Sequence, residues 1–185
     1  MPHRVCPWWL GYFLASPVRG WFDPPAKLLA PYVHEGMTVL EPGPGMGFFS
    51  LELARRVGPD GRIIAVDIQP KMLSGLRRRA VKAGLGDRIE TRLAAAESMA
   101  IDDLKGKVDF VLAFAVVHEM PSDAMFFAEA SEALKVGGTF LLAEPSGHVT
   151  QQAFADELAH AANAGLEIAG RPAIRGNHAA LLRKI

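Results

Sequence analysis

The sequence predicts a single α/β domain. The expected core is a mostly parallel sheet of seven strands with helices on both faces and an antiparallel C-terminal strand. Three observations carry this. From Met37 onward, short apolar runs alternate with segments of helical periodicity. The apolar runs are near-continuous, the pattern of strands covered on both faces. The last two runs, 165–171 and 178–183, have no helix between them, so they pair antiparallel, whereas helix-separated strands pair parallel by right-handed crossovers.

The elements follow in order. Residues 1–36 stand apart, holding all three Trp (Trp8, Trp9, Trp21), both Tyr (Tyr12, Tyr32), Phe13 and Phe22. Pro17, Pro24, Pro25 and Pro31 divide this segment into short helices or turns, and Pro25 can open a helix running to about Tyr32. Residues 37–185 form the sheet-building domain. Its first strand is 38–40, followed after a glycine turn by a helix over 48–57 with Phe49, Leu53 and Val57 on one face. The turn 58–61 leads to a second strand, 62–67, ending in Asp67. Pro70 opens a helix to about Ala83, which Gly84 ends. Strands follow at 88–93 and 107–114. Ser122 caps a helix over 122–134, and Gly137-Gly138 turns into a fifth strand at 139–143. A helix over 150–163 precedes the final pair of strands.

At 185 residues the chain has room for one domain with a real core. Half of it is apolar and 22% is charged, the balance of a globular protein. Lys plus Arg equals Asp plus Glu, so no net field favours nucleic acid or an anionic membrane, and the run Arg77-Arg78-Arg79 reads as an exposed helix face. Cys6 is the sole cysteine, so no intrachain disulfide forms and a cytoplasmic location is expected. No apolar run reaches the ~18–20 residues of a membrane span. The N-terminal stretch, broken by Pro7, Gly11, Ser16, Pro17 and Arg19, does not read as a secretory signal.

The run 38–50, TVLEPGPGMGFFS, carries the chemistry. A strand ends in Glu41, and Gly43, Gly45 and Gly47 follow before a helix, the arrangement that builds a nucleotide-sized pocket at the end of a parallel strand. A dinucleotide fingerprint G-x-G-x-x-G would need its third glycine where Phe48 stands. A carboxylate beside the glycines would also repel a pyrophosphate. The pattern suits a cationic, phosphate-free ligand, and a nucleotide-dependent oxidoreductase is disfavoured.

Glu41-x-Gly43-x-Gly45-x-Gly47 resembles the first motif of class I S-adenosylmethionine-dependent methyltransferases. The likeness continues through Asp67, Ala96-Glu97, the run Val117-His118-Glu119-Met120-Pro121, and Leu134-Lys-Val-Gly137-Gly138, covering about 33–185. It is closest to the small-molecule branch that includes the quinone-biosynthesis type. The resemblance implies a Rossmann-like fold with S-adenosyl-L-methionine as cofactor and S-adenosyl-L-homocysteine as product. It also implies residue roles. The glycine turn lets the backbone approach the methionine part, and Glu41 takes the amino group, directly or through water. Asp67 accepts the ribose hydroxyls, and Ile68 and Met72 pack on the adenine. The Ala95–Ala96 backbone bonds the adenine edge, and Phe114 and Ala115 line the channel near the sulfonium. The family often has an acid where this chain has Ala95.

Methyl transfer from a sulfonium asks the protein mainly to align reactants, and a base is needed only when the acceptor carries its proton. His118, with Glu119, is the candidate base, with the alternative that it only caps the next helix or packs under the lid. The run is not the H-E-x-x-H zinc motif, because Ser122 stands where the second His must be, and no metal is expected. His148, in Glu144-Pro-Ser-Gly-His148, is a candidate substrate contact together with Trp8, Trp9 and Tyr12. The aromatic N-terminal segment reads equally as a lid over a lipophilic or aromatic acceptor, as ordinary core, or as the interface of a homodimer. Two functions follow: a methyltransferase acting on a small molecule, or an S-adenosylmethionine-binding regulator or partner subunit without methyl transfer. Nucleic acid is not an expected partner. An Asn/Asp-Pro-Pro-aromatic tetrad is missing after the fourth strand, where Ala115-Val116-Val117-His118 stands.

Overall fold

The computed structural model describes residues 25–95 and 98–185. Seven strands make the expected mostly parallel sheet. The chain divides into two compact units at Ala94/Ala95, described in turn.

In the first unit a short helix, α1 (Pro25–Leu29), leads to β1 (Thr38–Pro42), α2 (Ser50–Arg56), β2 (Arg62–Asp67), α3 (Pro70–Lys82) and β3 (Ile89–Leu93). The strands lie in the order β3-β2-β1, all parallel, with Glu41 paired to Ala65 and Asp67 to Leu93. Val39, Leu40, Ile63, Ile64, Leu53 and Leu76 are fully buried, so both sheet faces are covered, as the continuous apolar strands require. Helix α1 is shorter than expected, ending at Leu29 rather than about Tyr32, because Pro31 follows within the next turn. Leu29 and Val33 are buried, and an Arg56 guanidinium donates to the Ala26 carbonyl at 2.5 Å, which fastens this stretch to α2. Helix α2 begins two residues later than the periodicity suggested, because the glycine turn runs on through Phe49.

The Arg77–Arg79 run is only partly an exposed face. Arg77 reaches the Thr91 hydroxyl, and Arg79 turns inward to donate to the Met46 carbonyl, which depresses its pKa through burial. Arg79 thereby braces the glycine turn from α3.

The second unit carries β4 (Val108–Phe114), α4 (Asp123–Ala133), β5 (Leu134–Pro145), α5 (Gln151–Asn163), β6 (Leu166–Gly170) and β7 (Asn177–Lys184). Its strand order is β4-β5-β7-β6. β4 and β5 are parallel; β6–β7 is antiparallel, as the missing crossover helix predicts, and β7 also pairs antiparallel with β5. Ser122 Oγ accepts from Met125 N–H at 3.3 Å and Thr150 Oγ1 from Ala153 N–H at 3.1 Å, so both helices start at side-chain caps. Phe127 and Phe140 pack with ring centroids 5.8 Å apart at the centre of this unit.

β5 differs from expectation. It begins at Leu134, not Thr139, and Gly137-Gly138 lies inside it. Gly137 takes φ +79°, and the β4–β5 register shifts between Val108 and Phe110. The glycine pair therefore makes an irregularity within the strand rather than a turn before it.

Candidate functional site

In the first unit the C-terminal ends of β1 and β2 hold two buried acids. Glu41 is 3% exposed and Asp67 9% exposed. Between Glu41 and α2, Gly43, Gly45 and Gly47 take φ of +64°, +54° and +84°, conformations that a side chain strains. Gly43 N–H donates to the Val66 carbonyl at 2.8 Å and Gly47 N–H to the Pro44 carbonyl at 2.9 Å, which pins the turn at both ends. The two inner glycines differ in surroundings. A Cβ at Gly47 would run into the Leu76 side chain, whereas one at Gly45 would meet nothing within 4 Å. Gly47 is thus needed for packing on α3, and Gly45 borders open space that a ligand can enter.

Glu41 Oε2 is buried and has no hydrogen-bond partner among the described residues. Its carboxyl pKa is pushed up to about 7, first by burial, then by the nearby charge of Asp67, with the Ser50 hydroxyl opposing. A buried carboxyl with one oxygen left unsatisfied is costly, and a cation brought to it offsets that cost. Asp67 Oδ1 accepts Gln69 N–H at 2.8 Å, which fixes the carboxylate at the strand end. Next to it Ile68 is 45% exposed, an apolar surface set beside the acid, while Met72 is buried on α3. Ala95 N–H donates to the Ser98 carbonyl at 3.0 Å, within an isolated antiparallel bridge between the two residues. Ala96, like Trp8, Trp9 and Tyr12, lies outside the described residues.

In the second unit β4 ends at Phe114, and Ala115 takes φ +56°. Strain at such a residue costs on the order of 1–3 kcal/mol and is held in place here by Ala115 N–H donating to the Ala143 carbonyl at 2.8 Å. The turn it makes aims two consecutive amides at one acceptor. Val116 N–H and Val117 N–H donate to Glu144 Oε1 at 3.0 and 2.8 Å. Glu144, on β5, is fully buried, and its other oxygen takes Nδ1 of His118. His118 Nε2 lies 4.0 Å from Glu119 Oε1, and the His118 and His148 rings stand edge to face at 5.9 Å. The hydrogen bond that the His118 ring makes to Glu144 raises the His118 pKa above its ordinary value against the effect of burial. His148 itself is exposed on the loop after β5.

Sequence reasoning placed His118, Glu119 and His148 at this strand edge but gave Glu144 no role of its own. Its signal was an acid at a strand's C-terminal end, the same signal that singled out Glu41 and Asp67. Glu157 was missed outright. It is 6% exposed on α5, its Oε2 has no partner among the described residues, and burial together with Glu144 and Asp123 pushes its pKa up to about 8. The helix periodicity could have found it, since Phe154, Leu158 and Ala161 share its buried face. Among the described residues no three His, Cys, Asp or Glu side chains are placed to hold a metal ion, and no helix is long and apolar enough to cross a membrane.

Residues 33–173 match a family model described as a methyltransferase domain. The chain is 31% identical over 126 residues to the ubiquinone/menaquinone biosynthesis C-methyltransferase of Brucella anthropi, covering 68% of this chain and 47% of that one. It is 32% identical over 109 residues to the arsenite methyltransferase of Halobacterium salinarum, covering 59% of this chain and 27% of that one. The chain thus spans about half the length, or less, of these curated relatives. A crystal structure of an S-adenosylmethionine-dependent methyltransferase from Aquifex aeolicus has the same fold, with a TM-score of 0.87 at 21% identity, covering 98% of this chain and 100% of that one.

Proposed function

The chain belongs to the S-adenosylmethionine-dependent methyltransferase family, and on that footing we propose that it transfers the methyl group of S-adenosylmethionine to a small, lipophilic or aromatic acceptor. One observation supports this most. The buried Glu41 carboxyl lacks a partner on Oε2 and heads a turn of three left-handed glycines. A phosphate-bearing cofactor is repelled there, and an ammonium group is attracted.

The residues fit this cofactor. Glu41 would hold its amino group, and the open side of Gly45 gives the backbone approach. Asp67, oriented by Gln69 N–H, would take the ribose hydroxyls. Ile68 and Met72 would flank the adenine, with the Ala95–Ala96 backbone at its edge, and Phe114 and Ala115 would line the approach to the sulfonium. When bound, the cofactor supplies an already activated methyl group. The work left to the chain is to align the acceptor, exclude water and, where the acceptor carries a proton, remove it. His118 is the proposed base, with Glu119 beside it and His148 as an acceptor contact.

The lipophilic or aromatic character of the acceptor rests on the composition of residues 1–36, where Trp8, Trp9 and Tyr12 would form an apolar wall. A cytoplasmic location belongs to the same proposal. Methyl-labelled S-adenosylmethionine offered with a panel of phenols, thiols and amines tests it. The expected result is label in at least one acceptor, with an equal amount of S-adenosylhomocysteine. Stoichiometric cofactor binding with no product above the protein-free rate would instead establish a binding protein without methyl transfer.

A further inference from the structure

Glu144 accepts three hydrogen bonds: two from consecutive backbone amides, at 3.0 and 2.8 Å, and one from the His118 ring. Such a carboxylate acts only as an acceptor, so the proton of a neutral His118 sits on Nδ1. The lone pair is therefore on Nε2, which lies 4.0 Å from Glu119 Oε1, too far for a hydrogen bond. The His118 side chain is 22% exposed while Glu144 is sealed from solvent. The ring thus has one buried, committed nitrogen and one available nitrogen.

We infer that Glu144 is a positioning residue that locks His118 in the tautomer whose Nε2 can take a proton, and that the acceptor is accordingly a nucleophile still protonated at neutral pH, such as a phenol or another hydroxyl, rather than a preformed thiolate. The inference rests on the methyl-transfer reading above. In the step, the acceptor oxygen bonds to the methyl carbon. The carbon–sulfur bond breaks with its electron pair left on sulfur, which neutralises the sulfonium. The hydroxyl proton passes to His118 Nε2, and the resulting imidazolium is paired with the Glu144 carboxylate until it releases the proton to solvent. The other titratable groups facing His118 are Glu119 on its own turn, His148 beyond β5 and Glu157 on α5. None of them is hydrogen-bonded to Nδ1, so none replaces Glu144.

The distinguishing variant is Glu144→Gln. An alanine would orphan two buried amides, whereas the glutamine carbonyl can still accept from Val116 and Val117. Its amide nitrogen then faces His118 Nδ1 and donates to it, forcing the proton onto Nε2 and removing the base. Nitrogen-15 NMR of the His118 ring reads the tautomer with no acceptor present. The expected result is Nδ1–H in the wild type and Nε2–H in the variant, with the ring pKa falling back toward the ordinary histidine value. In parallel, methyl-labelled cofactor is offered with phenol and with thiophenol, which is already ionised. Glu144→Gln and His118→Gln should both slow transfer to phenol by about 100-fold, the usual contribution of a general base, and slow transfer to thiophenol by less than about threefold. An Nε2–H tautomer in the wild type overturns the inference whatever the activity. Equal slowing of both acceptors reduces Glu144 to a structural role and overturns it too. A wild type with the Nδ1–H tautomer that methylates thiophenol alone overturns the acceptor class. One that consumes no cofactor with any acceptor overturns the methyl-transfer reading itself.

Discussion

Asp67→Ala weakens S-adenosylmethionine binding by at least about 100-fold. Asp67 ends β2, is nearly buried, and is held by Gln69 N–H to its Oδ1 at 2.8 Å, so its carboxylate does not have to be ordered on binding. In the proposed site it accepts from a pair of vicinal hydroxyls. A hydrogen bond to a charged group contributes about 1.5–3 kcal/mol, so two of them exceed the roughly 2.8 kcal/mol that separates a hundredfold change in affinity. Isothermal calorimetry measures the loss, and a thermal melt of the variant checks that the β2 turn still folds. Asp67→Asn keeps an oxygen for Gln69 N–H but loses the charge, and should lie between the two. Unchanged affinity in Asp67→Ala would remove the ribose role from this residue.

The second large effect is a pH dependence that belongs to Glu41. Burial pushes its carboxyl up to about 7 in the free protein. Below that pH the group is protonated and must lose its proton before it can pair with an ammonium. Affinity should therefore fall about tenfold for each pH unit below 7 and level off just above it. At pH 6 binding should release close to one proton, read from calorimetry in two buffers of different ionisation enthalpy. Glu41→Gln abolishes both the slope and the release. Folding carries the opposite sign. The native pKa of about 7 lies above the unfolded value of 4.5, so the native state binds the extra proton. The contribution of Glu41 to the stability of the unliganded protein is full below pH 4.5 and declines by roughly 3 kcal/mol as pH rises to 7. Chemical denaturation at pH 5 and 7.5 should show a decline that is smaller by about 2 kcal/mol in Glu41→Gln than in the wild type, the remainder belonging to groups such as Glu157, whose carboxyl is raised to about 8. A flat binding profile in the wild type would mean that Glu41 does not face the ligand's cation.

What could be read in the sequence was local. β1, the glycine turn and Asp67 follow one another within 30 residues, and each has its own signature: an apolar run, glycines where φ must be positive, an acid at a strand end. The Ser122 cap was legible for the same reason, and the antiparallel β6–β7 pair followed from the missing crossover. Misread elements were those decided by tertiary pairing. Gly137-Gly138 looks like a turn in isolation. In the structure a Cβ at Gly138 would come within 2.8 Å of the Lys135 carbonyl oxygen of its own strand and 3.2 Å of the Asp109 carbonyl oxygen on the neighbouring β4. The role of Glu144 was invisible because its partners, Val116, Val117 and His118, lie 26 to 28 residues upstream. The Ala115 turn that points those amides at it has no sequence signature, since alanine rarely adopts positive φ. Glu157 was legible as a helix position but not as a perturbed acid, because its neighbours Glu144 and Asp123 come from other elements.

The most direct test of the site is a paired titration of the wild-type protein at pH 7.5 with S-adenosylmethionine and with NAD. The glycine turn headed by Glu41 should bind one S-adenosylmethionine per chain and give no heat with NAD. Saturable NAD binding, or a folded protein that binds no S-adenosylmethionine, would contradict the assignment.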